Sequence, residues 1–118
     1  MAEFLSAEWL EALNDTLRAA GPTPIQNPDT VFRVVLDFSD APSSSAHALT
    51  LAISKEGAWA ELGDHLAADA VIRLSYRDGE ALTNGTLESA GALREGRMKV
   101  RGDVHGLVPL LGWLQSAK

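Results

Sequence analysis

Cysteine is absent from the 118 residues, which excludes disulfides, thiolate metal sites and cysteine nucleophiles. Basic residues are in the minority, with 10 Lys and Arg against 16 Asp and Glu and a net charge of −6. Since neutralising phosphates supplies most of the affinity for nucleic acids, this balance argues against a nucleic-acid partner. The longest strongly apolar stretch, residues 107–114, is far shorter than the roughly 20 residues that a membrane-spanning helix needs.

The chain has the length and composition of one domain. With a mass of 12.6 kDa and 46% hydrophobic residues, it can bury a single hydrophobic core without disulfide cross-links. Its first residues lack the basic and apolar regions of a secretory signal. We therefore expect residues 1–118 to form one acidic, cytoplasmic domain.

The first element is predicted to be an amphipathic helix over residues 6–20. Ser6 is placed to cap it, and Gly21 followed by Pro22 should end it. Its apolar residues recur at steps of three and four, which is the spacing of one helical face. They are Trp9, Leu10, Leu13, Leu17 and Ala20.

After a proline-containing connector the apolar period changes to two, which predicts strands. Strands are expected near residues 32–38, 48–53, 58–62, 70–76 and 97–101. Two short helices should occupy residues 78–84 and 86–95. Asp103 should cap a terminal apolar helix that Pro109 kinks or restarts. The predicted order is α-β-β-β-crossover-β-α-α-β-α.

No catalytic constellation emerges from the sequence. The three histidines, His47, His65 and His105, lie far apart and none has a partner at metal-ligand spacing. There is no nucleophile elbow, phosphate-binding glycine loop or paired-carboxylate motif. We therefore expect no metal, no cofactor and no enzymatic activity.

Two segments bear a resemblance to a known family. Residues 97–103, Arg-Met-Lys-Val-Arg-Gly-Asp, followed by an apolar terminal helix, resemble the signature near the C-terminus of the sterol carrier protein 2 (SCP2) family. Residues 70–76 with the following helix resemble that family's strand and helix, and the likeness covers residues 4–116. It implies an α+β fold in which helices cover one face of a five-stranded, mostly antiparallel sheet. It also implies a carrier, not a catalyst, with an apolar tunnel for sterols, fatty acids, acyl-CoAs or other lipids.

On this basis thirteen residues are expected to line a ligand site between sheet and helices. The sheet side would comprise Phe32, Val34, Leu36, Leu49, Leu51, Ile72, Leu74, Met98 and Val100. The helical side would comprise Leu107, Leu111, Trp113 and Leu114. Pro109 and Gly112 are expected to interrupt the terminal helix and thereby to affect the shape and depth of the tunnel.

Two alternatives remain open at this point. A small cone-shaped enzyme of the ketosteroid-isomerase type matches in length, and a buried carboxylate with a shifted pKa would reveal it. An accessory module could instead dock through the terminal helix, whose apolar residues cover more than one side. Contact with a membrane or a lipid-modifying enzyme, as a monomer or a homodimer, is compatible with the carrier hypothesis.

Overall fold

Nine elements follow one another in the order that the sequence predicts. The computed structural model describes residues 3–20, 22–38, 40–43, 45–84 and 86–116, without the side chains of residues 89, 90, 115 and 116. Within these residues the elements are α1 (Ala7–Ala19), β1 (Val31–Phe38), β2 (Ala48–Ser54), β3 (Gly57–Leu62), β4 (Ala70–Leu74), α2 (Tyr76–Asn84), α3 (Ser89–Arg94), β5 (Lys99–Gly102) and α4 (Val104–Ser116). The expected α+β order is confirmed.

The five strands form one sheet in the order β3-β2-β1-β4-β5. Three of its neighbouring pairs are antiparallel, and β1 with β4 is parallel. A two-residue turn, Lys55 and Glu56, joins β2 to β3, since Ser54 pairs with Gly57. The parallel pair requires a crossover, which residues 63–69 provide.

The helices cover one face of the sheet, here called the inner face. Phe32, Val34 and Leu36 of β1 point to it, and all three are buried in a single apolar cluster with residues of every helix. Two helices approach β1 closely. A Cβ added to Gly79 of α2 would lie 2.3 Å from the Phe38 ring, and one added to Gly106 of α4 would lie 2.7 Å from the Phe32 ring. The core therefore lies between the sheet and the helices.

The opposite, outer face is covered in part by the crossover. At one end Thr50 Oγ1 donates to the Gly63 carbonyl at 2.7 Å. At the other, the Arg33 N–H donates to Asp69 Oδ2 at 2.9 Å and the Asp69 N–H to the Arg33 carbonyl at 2.8 Å. All seven residues of β2 are buried. The alternating pattern of the sequence predicts burial on one face of β2 only.

Helix α1 packs against the edge strand β3 and forms hydrogen bonds with part of the backbone of that strand. Asn14 Nδ2 donates to the Ala60 carbonyl at 3.0 Å, and the Ala60 N–H donates to Asn14 Oδ1 at 2.7 Å. Ser6 caps the helix as predicted, accepting from the Trp9 N–H at 3.2 Å. Gly21, the expected terminator, lies outside the described residues, and the C-cap is Ala20.

The terminal segment departs from one expectation. Helix α4 runs as one element through Pro109 and Gly112, so the expected restart at Pro109 and interruption at Gly112 are wrong. Pro109 lies on the solvent-exposed side, where water can satisfy the carbonyl that loses its intrahelical donor. The predicted N-cap is confirmed, because Asp103 Oδ1 accepts from the Gly106 N–H at 2.9 Å.

The fourth strand is shorter than expected. Tyr76, expected at its end, is instead the first residue of α2. The Asp78 N–H donates to Ser75 Oγ at 3.0 Å, so Ser75 satisfies a free donor of the first helical turn. The Tyr76 N–H donates to Asp40 Oδ1 at 2.6 Å, which also favours the start of a helix there.

Candidate ligand-binding site

The structure brings all thirteen residues of the predicted site into one apolar cluster on the inner face. Cross-strand pairs align their side chains: Val34 lies beside Leu51, and Leu36 lies between Leu49 and Ile72. Ten of the thirteen are buried. The three that are only half-buried are Val100, Trp113 and Leu114.

This cluster presents hydrocarbon and no ionised group. The buried polar side chains among the described residues are those of Thr50 and Ser54. Ser54 donates to Glu56 Oε2 at 3.2 Å and to the Gly57 carbonyl at 3.3 Å, and Thr50 belongs to the outer face. No buried side-chain N or O atom in the described part of the chain lacks a hydrogen bond. A molecule in contact with the cluster would be held by removal of apolar area from water.

Only one side of helix α4 contributes side chains to the apolar cluster. Leu107 and Leu110 are fully buried and Leu111 nearly so, whereas Val104 and Val108 remain 44% and 55% exposed. The helix contains no Lys, Arg, Asp or Glu, although a helix on a protein surface ordinarily carries charges on its outward side. The excess apolar character noted in the sequence is therefore divided between the core and the solvent.

A cleft opens beside the cluster at the end of the sheet where β2 turns into β3. Its volume is about 720 Å³, which lies within the range of small-molecule sites. Its walls are the C-terminal half of α1, the connector after it and the turn between the strands. The lining residues are Asn14, Leu17, Arg18, Ala20, Pro22, Thr23, Ser54, Lys55, Glu56, Gly57, Ala58, Trp59, Ala60 and Glu61. We call this space the α1–hairpin cleft.

The floor of the α1–hairpin cleft is part of the core. Leu17, Ala58 and Ala60 line the cleft and belong to the inner cluster. Ala60 pairs directly with Leu51, one of the thirteen predicted residues. The cleft is thus continuous with the predicted site, although none of its lining residues was expected there. The one feature of the sequence that could have indicated the cleft is the small inward side chains of Ala58 and Ala60, because a helix packed over alanines leaves space.

Polar groups in the cleft walls are occupied with one another. Both functions of the Asn14 amide bond the Ala60 backbone. Thr23 Oγ1 donates to the Ser54 carbonyl at 2.6 Å, and Ser54 itself bonds within the turn. These hydrogen bonds hold the walls in place. The polar groups that remain available in the cleft are the charged side chains at its rim.

A second cavity, of about 480 Å³, lies on the outer face under the crossover. Val35, Ala48 and Val71 form its apolar floor, and Asp64 and two histidines, His47 and His65, stand around it. The Ala67 N–H donates to His65 Nδ1 at 3.0 Å. No group of three or more His, Asp or Glu in the described ranges is arranged to hold a metal ion.

The carboxylates of the described chain are exposed or half-buried. Asp37 is paired with Arg73 at 3.3 Å, and Asp78 lies 4.0 Å from Arg97. Both pairs are on the surface. Within the same residues, no helix is long and apolar enough to span a bilayer.

Comparison with known proteins identifies the fold. No family model matches the sequence, and no curated protein matches it. Among solved structures, sterol carrier protein 2 superposes with a TM-score of 0.64 at 21% identity over 98% of this chain and 94% of that one. Palmitated SCP2L2 from Aedes aegypti superposes with a TM-score of 0.62 at 18% identity over 92% and 94%. The SCP2-like fold expected from residues 97–103 is confirmed.

A stereoselective inverting sec-alkylsulfatase, Pisa1 from Pseudomonas, also matches. The TM-score is 0.61 at 19% identity, over 93% of this chain. The chain spans only 16% of the sulfatase. The likeness is therefore to one region of that larger protein.

Proposed function

We propose that this chain is a non-enzymatic binding protein for a hydrophobic ligand, held between the inner face of the sheet and helices α1 and α4. The observation that carries the proposal is the continuity of the α1–hairpin cleft with the charge-free inner cluster through Leu17, Ala58 and Ala60. A cleft with an apolar floor suits a ligand that gains by leaving water. The thirteen residues of the inner cluster and the cleft floor would make the contacts, and residues 1–118 would act as one domain.

The SCP2-like fold supports this reading by analogy. One of the superposable structures is described as palmitated, which is a lipid association of that protein. Two other observations weigh against the ketosteroid-isomerase alternative. The last two strands, β4 and β5, are short, with five and four residues, and the described carboxylates are exposed or half-buried rather than enclosed in the inner cluster. A general base in an apolar pocket would need such an enclosed group.

Titration with N-phenyl-1-naphthylamine, an uncharged apolar dye that fluoresces out of water, tests the proposal. The parent protein should bind the dye saturably at micromolar concentration. Leu111→Trp enlarges a buried side chain on the inner side of α4 and should abolish or weaken the signal. Val108→Trp adds the same group on the exposed side of that helix and should leave binding within twofold of the parent.

Circular dichroism establishes that each variant is folded, and Leu111→Phe provides a smaller replacement if Leu111→Trp is not. Absence of saturable dye binding to the folded parent would refute the proposal. Equal loss of binding in the Leu111 and Val108 variants would place the dye outside the inner cluster.

A further inference from the structure

The charges around the α1–hairpin cleft constrain which ligands can use it. Arg18 and Lys55 are exposed cations on its lining, and Glu56 and Glu61 are exposed anions on the same lining. The Arg18 guanidinium is already engaged by Asp15 in an ion pair within α1. The remaining cation, Lys55, shares the lining with two carboxylates. The rim therefore offers no net positive potential to an anionic headgroup.

The interior offers no cation either. Among the described Lys and Arg residues all are exposed except Arg33, which is half-buried on the outer face. The sheet cations Arg73, Lys99 and Arg101 also point to that face, because each alternates with an inward apolar residue. An ionised carboxylate drawn into the inner cluster would have no partner, and an unpaired buried charge is strongly unfavourable.

The overall field acts in the same direction. The chain carries a net charge of −6, so an anionic amphiphile is repelled on approach and gains no net attraction at the rim. An uncharged amphiphile meets neither barrier. Its hydrocarbon can contact Leu17, Ala58 and Ala60 while its polar group stays among the hydrated side chains of the rim.

We infer that the α1–hairpin cleft is the mouth of the apolar site and that it selects amphiphiles with an uncharged headgroup over the corresponding fatty-acid anions. The inference rests on the proposed function and narrows it, because it names a headgroup class and the residues that discriminate. Glu56 is the informative position. It is exposed and lies in the turn between β2 and β3. The Ser54 hydroxyl that donates to it has an alternative acceptor in the Gly57 carbonyl.

The test compares two ligands with the same twelve-carbon acyl chain, 1-monolaurin and laurate, below their micellar concentrations at pH 8. Isothermal titration calorimetry at 20 mM and 300 mM salt gives the dissociation constants. The parent should bind 1-monolaurin at least threefold more tightly than laurate at 20 mM salt. The difference should shrink at 300 mM salt, because the Debye length falls severalfold over that range.

Reversing one rim charge should then relax the selectivity. Glu56→Lys changes the local charge by two units, and for a headgroup about 7 Å away in water this should tighten laurate binding about five- to tenfold. Binding of 1-monolaurin should stay within twofold. Glu88→Lys is the matched control, because Glu88 is exposed, makes no side-chain capping bond and lies outside the cleft. It should change laurate binding by less than twofold.

The possible results distinguish a failure of the headgroup selectivity from a failure of the proposed binding function. If neither ligand binds the folded parent, the proposed function fails. If laurate binds as tightly as 1-monolaurin, or if Glu56→Lys and Glu88→Lys change laurate binding equally, the protein still binds lipid but the cleft does not set headgroup selectivity. Should Glu56→Lys fail to fold, Glu61→Lys makes the same reversal on the same rim and is expected to behave alike.

Discussion

Replacing Asn14 by alanine tests how α1 is fixed against the sheet edge. The side-chain amide makes two hydrogen bonds to the Ala60 backbone, at 3.0 and 2.7 Å, across 46 residues of sequence. Each such bond contributes about 1 kcal/mol net, so their loss removes about 2 kcal/mol. Alanine favours the helix over asparagine by about 0.5 kcal/mol. The variant should therefore be about 1.5 kcal/mol less stable.

The expected shift of the melting temperature follows from the size of the chain. An unfolding entropy of about 2.1 cal/mol/K per residue over 118 residues corresponds to about 0.25 kcal/mol/K. The melting temperature of Asn14→Ala should thus fall by about 6 °C in differential scanning calorimetry.

Thr16→Ala is the control for this experiment. Thr16 lies on the same helix, and its hydroxyl donates only to the Ala12 carbonyl of that helix, a bond that adds little to helix stability. Its replacement should leave the melting temperature within about 2 °C of the parent or raise it. If Asn14→Ala melts at or above Thr16→Ala, the amide does not fix α1 to β3, and the wall of the cleft is held by other contacts.

Four further substitutions probe the turn into α4 and the core beneath it. Asp103→Ala should cost about 1 kcal/mol in urea unfolding through loss of the helix cap, and an unchanged midpoint would contradict that role. Gly102→Ala should lower the free energy of unfolding by about 3 kcal/mol or more. Gly102 has a φ of +95°, and a Cβ there would lie 2.3 Å from the Asp69 carbonyl oxygen. A decrease below about 1 kcal/mol would show that the turn relaxes. Leu110→Ala should lower the free energy of unfolding by about 2–5 kcal/mol, as in a filled core. Leu111→Ala should lower it by less if Leu111 borders ligand space. Equal decreases would indicate a filled core at both positions.

The elements and their order could be predicted because the local signals agree. The period of two in β1 places Phe32, Val34 and Leu36 on one face, and that face is buried. Ser6 and Asp103 are capping residues in sequence and in structure. Such signals extend over a few residues, so each is complete before any tertiary contact forms.

The cleft and the cover of the outer face could not be predicted in this way. The bond between Asn14 and Ala60 joins residues 46 apart, and the anchoring of Asp69 to Arg33 joins residues 36 apart. Neither partner carries a local pattern that points to the other. Burial of both faces of β2 depends on contacts distant in sequence. The continuity of α4 through Pro109 depends on which side of the helix meets solvent.

Native mass spectrometry of the purified protein tests the central claim, that the inner cluster and its cleft hold a hydrophobic ligand, most directly. The account predicts a population heavier than the 12.6 kDa chain by the mass of a lipid, which is released on collisional activation. After delipidation, adding 1-monolaurin should restore an equimolar complex, and Leu111→Trp should reduce it while Val108→Trp should not. A folded protein that carries no lipid when purified and forms no complex with 1-monolaurin would contradict the account.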